Sequence, residues 1–371
     1  MELNSSRLML GITGIILAAV IIGMILIRDR NVETDVTSDI TRVGLILTGS
    51  RNDNNFCQTH FDALINVGEK LNLQIICREN IPEDDSCAEA MDQLINKEGC
   101  RIVIAASFGY GPYVAEVAKR HEDICFLQPF GTEKLTNMTS CIGRMYQVRY
   151  LSGIVAGMRT ESGSIGYVAA FPHSEVIRDI NAFTLGVRSV APDAKVYVRY
   201  CNSWTDDDAA EAASRELLDL RPEIDVLTMH TNSLKPNYVA EQRGIWSIGY
   251  NKDNASLFPG KYLTACEWRW DSYYEKKILS CLQGKFHGAI EWMDMGSGVL
   301  GLSELTANVA YGTQEAVNKA RGKIENRSFD VFYGPITDSN GTVRVPEGES
   351  MADDEMMNRF DWYVEGVTVE E

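Results

Sequence analysis

The residues best suited to chemistry are aromatic rings, short amides and carboxylates that recur in polar stretches directly after apolar runs. The stretch after Val43–Leu47 contains Asp53 and Phe56, and the one after Ile102–Ala106 contains Phe108 and Tyr110. Farther along, Glu175, Asn202 with Trp204, Thr231 with Asn232, Asn251 with Asp253, and Trp268 with Trp270 hold equivalent places. Phe, Tyr and Trp rings stack on a flat ligand for about 1–3 kcal/mol each, while carboxylates and amides read its edge. The inventory suits a heteroaromatic small molecule, although a sugar face also stacks on such rings. Trp268 and Trp270 alternate along an extended segment and should share one face.

Several of these residues have competing structural roles. Asp206, Asp207 and Asp208 open a helix, where carboxylates satisfy free N–H groups and complement the helix dipole, so they read as caps. Glu175 opens another helix and divides evenly between capping and ligand contact. His230 reads as a satisfied strand-end histidine. Enzymatic signatures are missing: there is no G-x-S-x-G, H-E-x-x-H or G-x-x-x-x-G-K-[ST] sequence, and the five histidines stand apart. Gly296–Gly301 matches G-x-G-x-x-G, but it lies late in the chain with no β-α unit around it. The nine cysteines form no C-x-x-C pair or zinc spacing and read as small buried hydrophobes. The expectation is a binder without catalytic residue, cofactor or metal.

The elements that must position these loops are short apolar strands alternating with amphipathic helices, the pattern of parallel sheets covered on both faces. Strands are expected at 43–47, 73–77, 102–106 and 124–127, then, after a turn-rich break at 160–164, at 165–169, 196–200, 225–229, 246–250 and 262–267. This predicts an α/β fold of two Rossmann-like lobes with a ligand cleft between them, outside the carboxyl ends of the strands. The first lobe is placed at 41–160 with a return segment near 285–330, the second at 161–284, and a hairpin at Asn340-Gly341 with an acidic tail, expected to pack late or fray, at 331–371. Met9 to Ile27 carries no charge and is long enough to span a bilayer of roughly 30 Å, so residues 1–30 read as an uncleaved transmembrane anchor and 31–40 as a linker. Flanking charges do not settle the side. With 52 acidic against 35 basic residues the formal charge is -17, which excludes nucleic acid as a partner.

Longer segments carry a family resemblance: ASFGYGPYVAEVAKR (Ala106 to Arg120), RYLSGIVAGMRTESGSIGYVAAFP (Arg149 to Pro172), EVIRDINAFTLGVRSVAPDAKV (Glu175 to Val196), NSWTD, HTNS and IGYNKD. Over about Arg42 to Arg344 the chain resembles the basic membrane protein family, the purine-type receptors of ABC importers. The resemblance implies a type I periplasmic-binding fold and a purine nucleobase or nucleoside, such as adenine, held in the cleft. It also implies an ABC permease and ATPase as partners, with the domain outside the cytoplasm. The family's aspartate-then-phenylalanine pattern corresponds to Asp53 and Phe56, and its later loops to Trp204 and Asp253. The chain departs from the pattern at Cys57, at Asn232, and at Met24, where a lipid-bearing cysteine would stand. These departures keep a second reading open, a membrane-bound ligand sensor built on the same domain.

Overall fold

Runs of aliphatic and β-branched residues form two sheets, most strands followed by a helix that covers one face. The structure is a computed structural model and describes residues 40–371. In the first lobe β1 (Arg42–Leu47), β2 (Gln74–Arg78), β3 (Ile102–Ala106), β4 (Cys125–Pro129) and β5 (Met138–Gly143) alternate with α1 (Phe56–Leu71), α2 (Asp85–Asn96) and α3 (Gly111–Arg120). Together with β11 (Ile290–Met293) they make a parallel sheet in the order β11-β5-β4-β3-β1-β2.

The second lobe contains β6 (Ser164–Ala169), β7 (Lys195–Tyr200), β8 (Val226–His230), β9 (Trp246–Asn251) and β10 (Tyr262–Trp268), connected through α5 (Ser174–Arg188), α6 (Asp207–Leu220) and α7 (Lys235–Arg243). β12 (Leu300–Leu302) and β15 (Val367–Val369) complete a sheet ordered β12-β10-β9-β8-β6-β7-β15, in which β12 alone runs antiparallel. In both sheets the central strands are buried on both faces; β1, β3 and β6 read accordingly as mainly apolar runs, while β8 also buries Thr228 and His230.

The chain passes between the lobes three times. After β5 it enters α4 (Met145–Arg159), which packs on α5 of the second lobe. After β10 it enters α8 (Asp271–Leu282), which packs on α1 of the first. β11 then returns to β12 through a short turn at Met295–Ser297. The lobe boundaries expected at 160 and 284 therefore shift: α4 buries Val148, Leu151 and Val155 in the second lobe, and the crossings fall before each helix, not after it. The Gly296–Gly301 stretch forms this third crossing and ends in β12 with no helix following, so it lacks the helix N-terminus a dinucleotide loop requires.

The expected hairpin is present, with β13 (Ile336–Thr337) paired to β14 (Val343–Val345) around Gly341 at φ 84°. The acidic tail does not fray. Past α9 (Thr313–Glu325) and α10 (Asp353–Asn358) it buries Phe360, Trp362 and Val364, then adds β15 beside β7. Asn181 of α5 holds it from both sides, donating to Trp362 O at 2.7 Å and accepting from Val364 N–H at 3.0 Å. The alternation Phe360, Trp362, Val364 is strand-like and outweighs the surrounding charge. All nine cysteines are free, and six are buried. The expected anchor and linker, residues 1–39, lie outside the described residues; among the described residues no helix is long and apolar enough to cross a membrane.

Candidate functional site

The first lobe approaches the second through the turn between β1 and α1. The Asp53 carboxylate accepts the backbone N–H groups of Asn55 (2.8 Å), Cys57 (2.9 Å) and Gln58 (3.0 Å). It thus satisfies the free donors at the start of α1 and fixes the entry of the chain. Asn55 and Phe56 follow directly, and both are buried. The Phe56 ring lies edge-on to His60 at 4.8 Å and 5.5 Å from Phe130. Phe130, directly after β4, has φ 65°, a conformation few bulky residues adopt, and it meets the Trp268 ring edge-on at 5.0 Å. Trp268 and Trp270 stack at 5.0 Å with their planes 8° apart, as their alternation predicts. Trp270 is fully buried and stacks on His60 at 4.7 Å, and His60 Nδ1 lies 2.6 Å from the Tyr274 hydroxyl. Phe56, Phe130 and Trp268 therefore form an aromatic wall, backed by His60, Trp270 and Tyr274. Burial lowers His60 to about 3, so its ring is neutral.

The second lobe contributes the ends of β6 to β9. Trp204 is half-buried, and its carbonyl accepts Thr231 Oγ1–H at 2.9 Å and Asn232 N–H at 2.8 Å, tying the loop after β7 to the end of β8. Its indole stands 5.7 Å from the His230 ring and 6.4 Å from Phe171. His230 is fully buried, with Nδ1 3.2 Å from the Tyr167 hydroxyl and its ring 4.6 Å from Tyr250. Asp206 caps α6 as expected, accepting Ala209 N–H at 3.0 Å. Glu175 lies half-buried in the first turn of α5.

Five asparagines and an ion pair join the lobes. Asn251 Nδ2–H donates to Asn55 Oδ1 and to Asn232 Oδ1, both at 2.8 Å, while Asn55 Nδ2–H donates to Asn232 O at 2.6 Å. Asn254 reaches Asn54 O at 2.9 Å, and Lys252 pairs with Asp62 at 2.7 Å. The cleft is closed at this clasp. Beside it runs a groove of about 360 Å³, lined by Thr48, Gly49, Asp53 and Cys57 of the first lobe and by residues of the second that include Asp207 and Asn232. Burial, followed by the Asp53 charge, pushes the Cys57 thiol up to about 12 and makes it a poor nucleophile.

Some of the anticipated residues stand elsewhere. Tyr110 is buried in the first-lobe core, its hydroxyl donating to Ile81 O at 2.6 Å, and is not part of the cleft rim. Phe108 is 69% exposed and stacks on no ring. Asp253 is exposed, its Oδ1 accepting Ala255 N–H at 3.0 Å. Asn202 is exposed too, and with Asn54 and Asn251 it adopts positive φ (53°, 53° and 67°). Asparagine tolerates that backbone better than most residues, so part of the amide richness serves the turns themselves. No group of three or more His, Cys, Asp or Glu among the described residues is placed to hold a metal ion.

A family model described as ABC transporter substrate-binding protein, PnrA-like, matches residues 40–331. The chain belongs to this Bmp family. A purine-binding protein of Brucella abortus is 30% identical to it over 328 residues, 88% of this chain and 92% of the relative. A Haloferax volcanii protein provisionally named an ABC transporter glucose-binding protein is 34% identical over 266 residues, 72% of this chain and 65% of the relative. A solved transcriptional activator of the comK gene from Bacillus halodurans shares the fold, with a TM-score of 0.68 at 22% identity, covering 78% of this chain and 99% of that one.

Members of the Bmp family are substrate-binding proteins, and the two-lobed α/β architecture is the one such receptors close around a solute. Of the positions carried over from the family pattern, Phe56 is buried against His60 and Phe130, Trp204 is half-buried against His230, Asp53 holds the α1 entry, and Asp253 turns to solvent. Phe130 and Asn55 join the site without being marked by the sequence pattern. Phe130 occupies a strand-end position like those of the marked residues, but the apolar run before it stops at Leu127 while β4 continues through Gln128 and Pro129. Asn55 stands beside Phe56 in a loop already singled out, and its role emerges only when the second lobe is placed against it.

Proposed function

We propose that this chain is the solute receptor of an ABC importer, capturing a purine nucleobase or nucleoside between its lobes and presenting it, unchanged, to a permease powered by an ATPase. The observation that carries the reading is two aromatic clusters at the strand ends, one joining Phe56 and Phe130 of the first lobe to Trp268 at the end of β10, the other pairing Trp204 with Phe171 in the second lobe. Such clusters favour a flat ring, and the amides and carboxylates around them supply edge contacts. Closure selects the liganded state because only a closed cleft lets both lobes touch the solute. The name of the Brucella relative supports a purine; that of the Haloferax relative makes a hexose the competing ligand.

Isothermal titration of the full chain with adenine, guanine, hypoxanthine, their nucleosides and glucose tests the proposal. Saturable heat with a purine, and a negative heat-capacity change from burying its rings, is the expected result. Binding of glucose alone, or no heat and no thermal shift with any purine, rejects the purine. The importer role places the domain outside the cytoplasm, so added protease should reach it in intact cells or spheroplasts.

A further inference from the structure

Several acids border the cleft, and they differ in what already occupies their oxygens. Asp53 accepts three backbone N–H groups. Asp253 accepts Ala255 N–H, and Glu267 accepts Asp253 N–H and the Arg269 guanidinium. Asp207 accepts the Ser233 hydroxyl. Glu175 has no hydrogen bond or ion pair to any described residue, although it is half-buried.

Behind Glu175 lies a buried polar centre. Asp179, one helical turn farther along α5 on the same face, is fully buried. Its carboxylate faces Arg149 Nε at 3.6 Å, Arg178 Nε at 3.9 Å and His230 Nε2 at 3.9 Å, all beyond hydrogen-bond length. None of these atoms has a hydrogen-bond partner among the described residues. The guanidiniums are held from outside the centre, Arg149 by Met229 O at 3.0 Å and Arg178 by Met356 O at 2.9 Å. Two fixed cations thus face one carboxyl, which burial pushes up to about 7 against their pull, so the centre is cationic. Glu175 stands one turn nearer the N-terminal end of α5, the end that follows β6. Asp179 lies 3.9 Å from His230 Nε2, whose ring is 4.6 Å from Tyr250, so this face of α5 packs toward the end of β9. Next in sequence after Tyr250, Asn251 Oδ1 is a buried acceptor with no donor among the described residues. The cleft floor from α5 to β9 therefore presents acceptors, one of them anionic, that protein donors leave unused.

We infer that Glu175 is the specificity-determining residue of the cleft, its carboxylate taking two adjacent N–H donors from the edge of a 6-oxopurine of the guanine type. This rests on the purine reading above. A carboxylate is acceptor-only and binds best where two donors lie side by side. The guanine edge offers N1–H beside the 2-amino group. Hypoxanthine offers N1–H alone, and adenine sets its amino group beside a ring nitrogen lone pair that a carboxylate repels. The order of affinity follows as guanine type, then hypoxanthine type, then adenine type.

Titration of the full chain and of Glu175→Gln with guanosine, inosine and adenosine, and with the three free bases, tests this. A thermal melt of the variant serves as the folding control. Glutamine retains one acceptor and adds a donor, so the variant should lose about 10- to 100-fold in guanine-type affinity while adenine-type affinity holds or improves, reversing the preference. A wild-type preference for adenine, or an equal loss for every purine in a variant that melts normally, overturns the inference and leaves the purine reading standing. Failure of all six purines to bind removes both.

Discussion

Asn251, at the end of β9 in the second lobe, donates its Nδ2–H to Asn55 Oδ1, at the start of α1 in the first, at 2.8 Å. Asn55 also donates to Asn232 O, so one side chain carries two of the bonds that close the cleft. Each such bond is worth about 0.5–1.5 kcal/mol net. Asn55→Ala removes both without altering the positive-φ backbone of Asn251. The closed state should lose population, and apparent ligand affinity should fall about tenfold in proportion. X-ray scattering of the unliganded protein should show a larger radius of gyration for the variant. Equal radii and equal affinity would mean that the clasp does not govern closure.

The crossings are held as tightly. A Cβ on Gly143 would stand 2.5 Å from Trp268 Cη2 and 2.9 Å from Leu300 Cδ2, where all three crossing segments meet. Gly143→Ala must displace the indole on which Phe130 rests, at a cost of about 1–3 kcal/mol. Gly322, inside α9, has nothing within 4 Å of its Cβ position, so Gly322→Ala should instead stabilise by about 0.5–1 kcal/mol. Urea unfolding of the two variants should shift in opposite directions. Because Trp268 belongs to the aromatic wall, Gly143→Ala should weaken ligand binding while Gly322→Ala leaves it unchanged.

The strands of both sheets could be read from the sequence wherever a run was buried on both faces, as in Val43–Leu47 and Ile165–Ala169, because such runs are apolar without interruption. β5 and β15 were missed for the same physical reason. Met138–Gly143 mixes Thr, Ser and Gly with apolar residues, and Val367–Val369 is three residues long inside an acidic tail. Helix membership of a lobe could not be read, since amphipathicity in Met145–Arg159 shows that a face is buried but not against which sheet. Position at or after a strand end marks Phe56, Trp204 and Asn251, and the fold does place them at strand ends. It could not separate Phe108 from Phe130, which differ in direction and not in type or spacing. The Arg149–Asp179–His230 centre joins residues from three elements far apart in sequence, and only the fold assembles it.

Trp204 and Phe108 differ in expected importance. Trp204 is half-buried against His230 and Phe171, whereas Phe108 is 69% exposed and unstacked. Removing a stacking ring costs about 1–3 kcal/mol, so Trp204→Ala should weaken purine binding roughly 5- to 150-fold. Phe108→Ala should change it less than about threefold, within the usual range for exposed substitutions. Calorimetry on both variants decides this, and a larger loss at Phe108 would relocate the ring site toward the end of β3.

Three buried groups set the acid dependence of stability. Burial lowers His60 to about 3 and His230 well below 6.5, so these rings contribute stability that is present above pH 6.5 and lost on acidification. Burial raises Asp179 from 3.8 to about 7, so its contribution runs the other way, present at low pH and lost as pH rises through 7. Between pH about 4 and 6.5 the unfolded chain binds two histidine protons where the native state binds one at Asp179, a net uptake of one proton on unfolding. These groups should therefore lower stability by about 1.4 kcal/mol per unit of acidification in that window. Asp179→Asn removes the opposing proton and should steepen the slope by about the same amount, whatever its effect on stability at neutral pH. Urea unfolding free energies at pH 4.5, 5.5 and 6.5 measure both slopes. Identical slopes in the two proteins would show that Asp179 is ionised in the native state throughout, held there by Arg149 and Arg178.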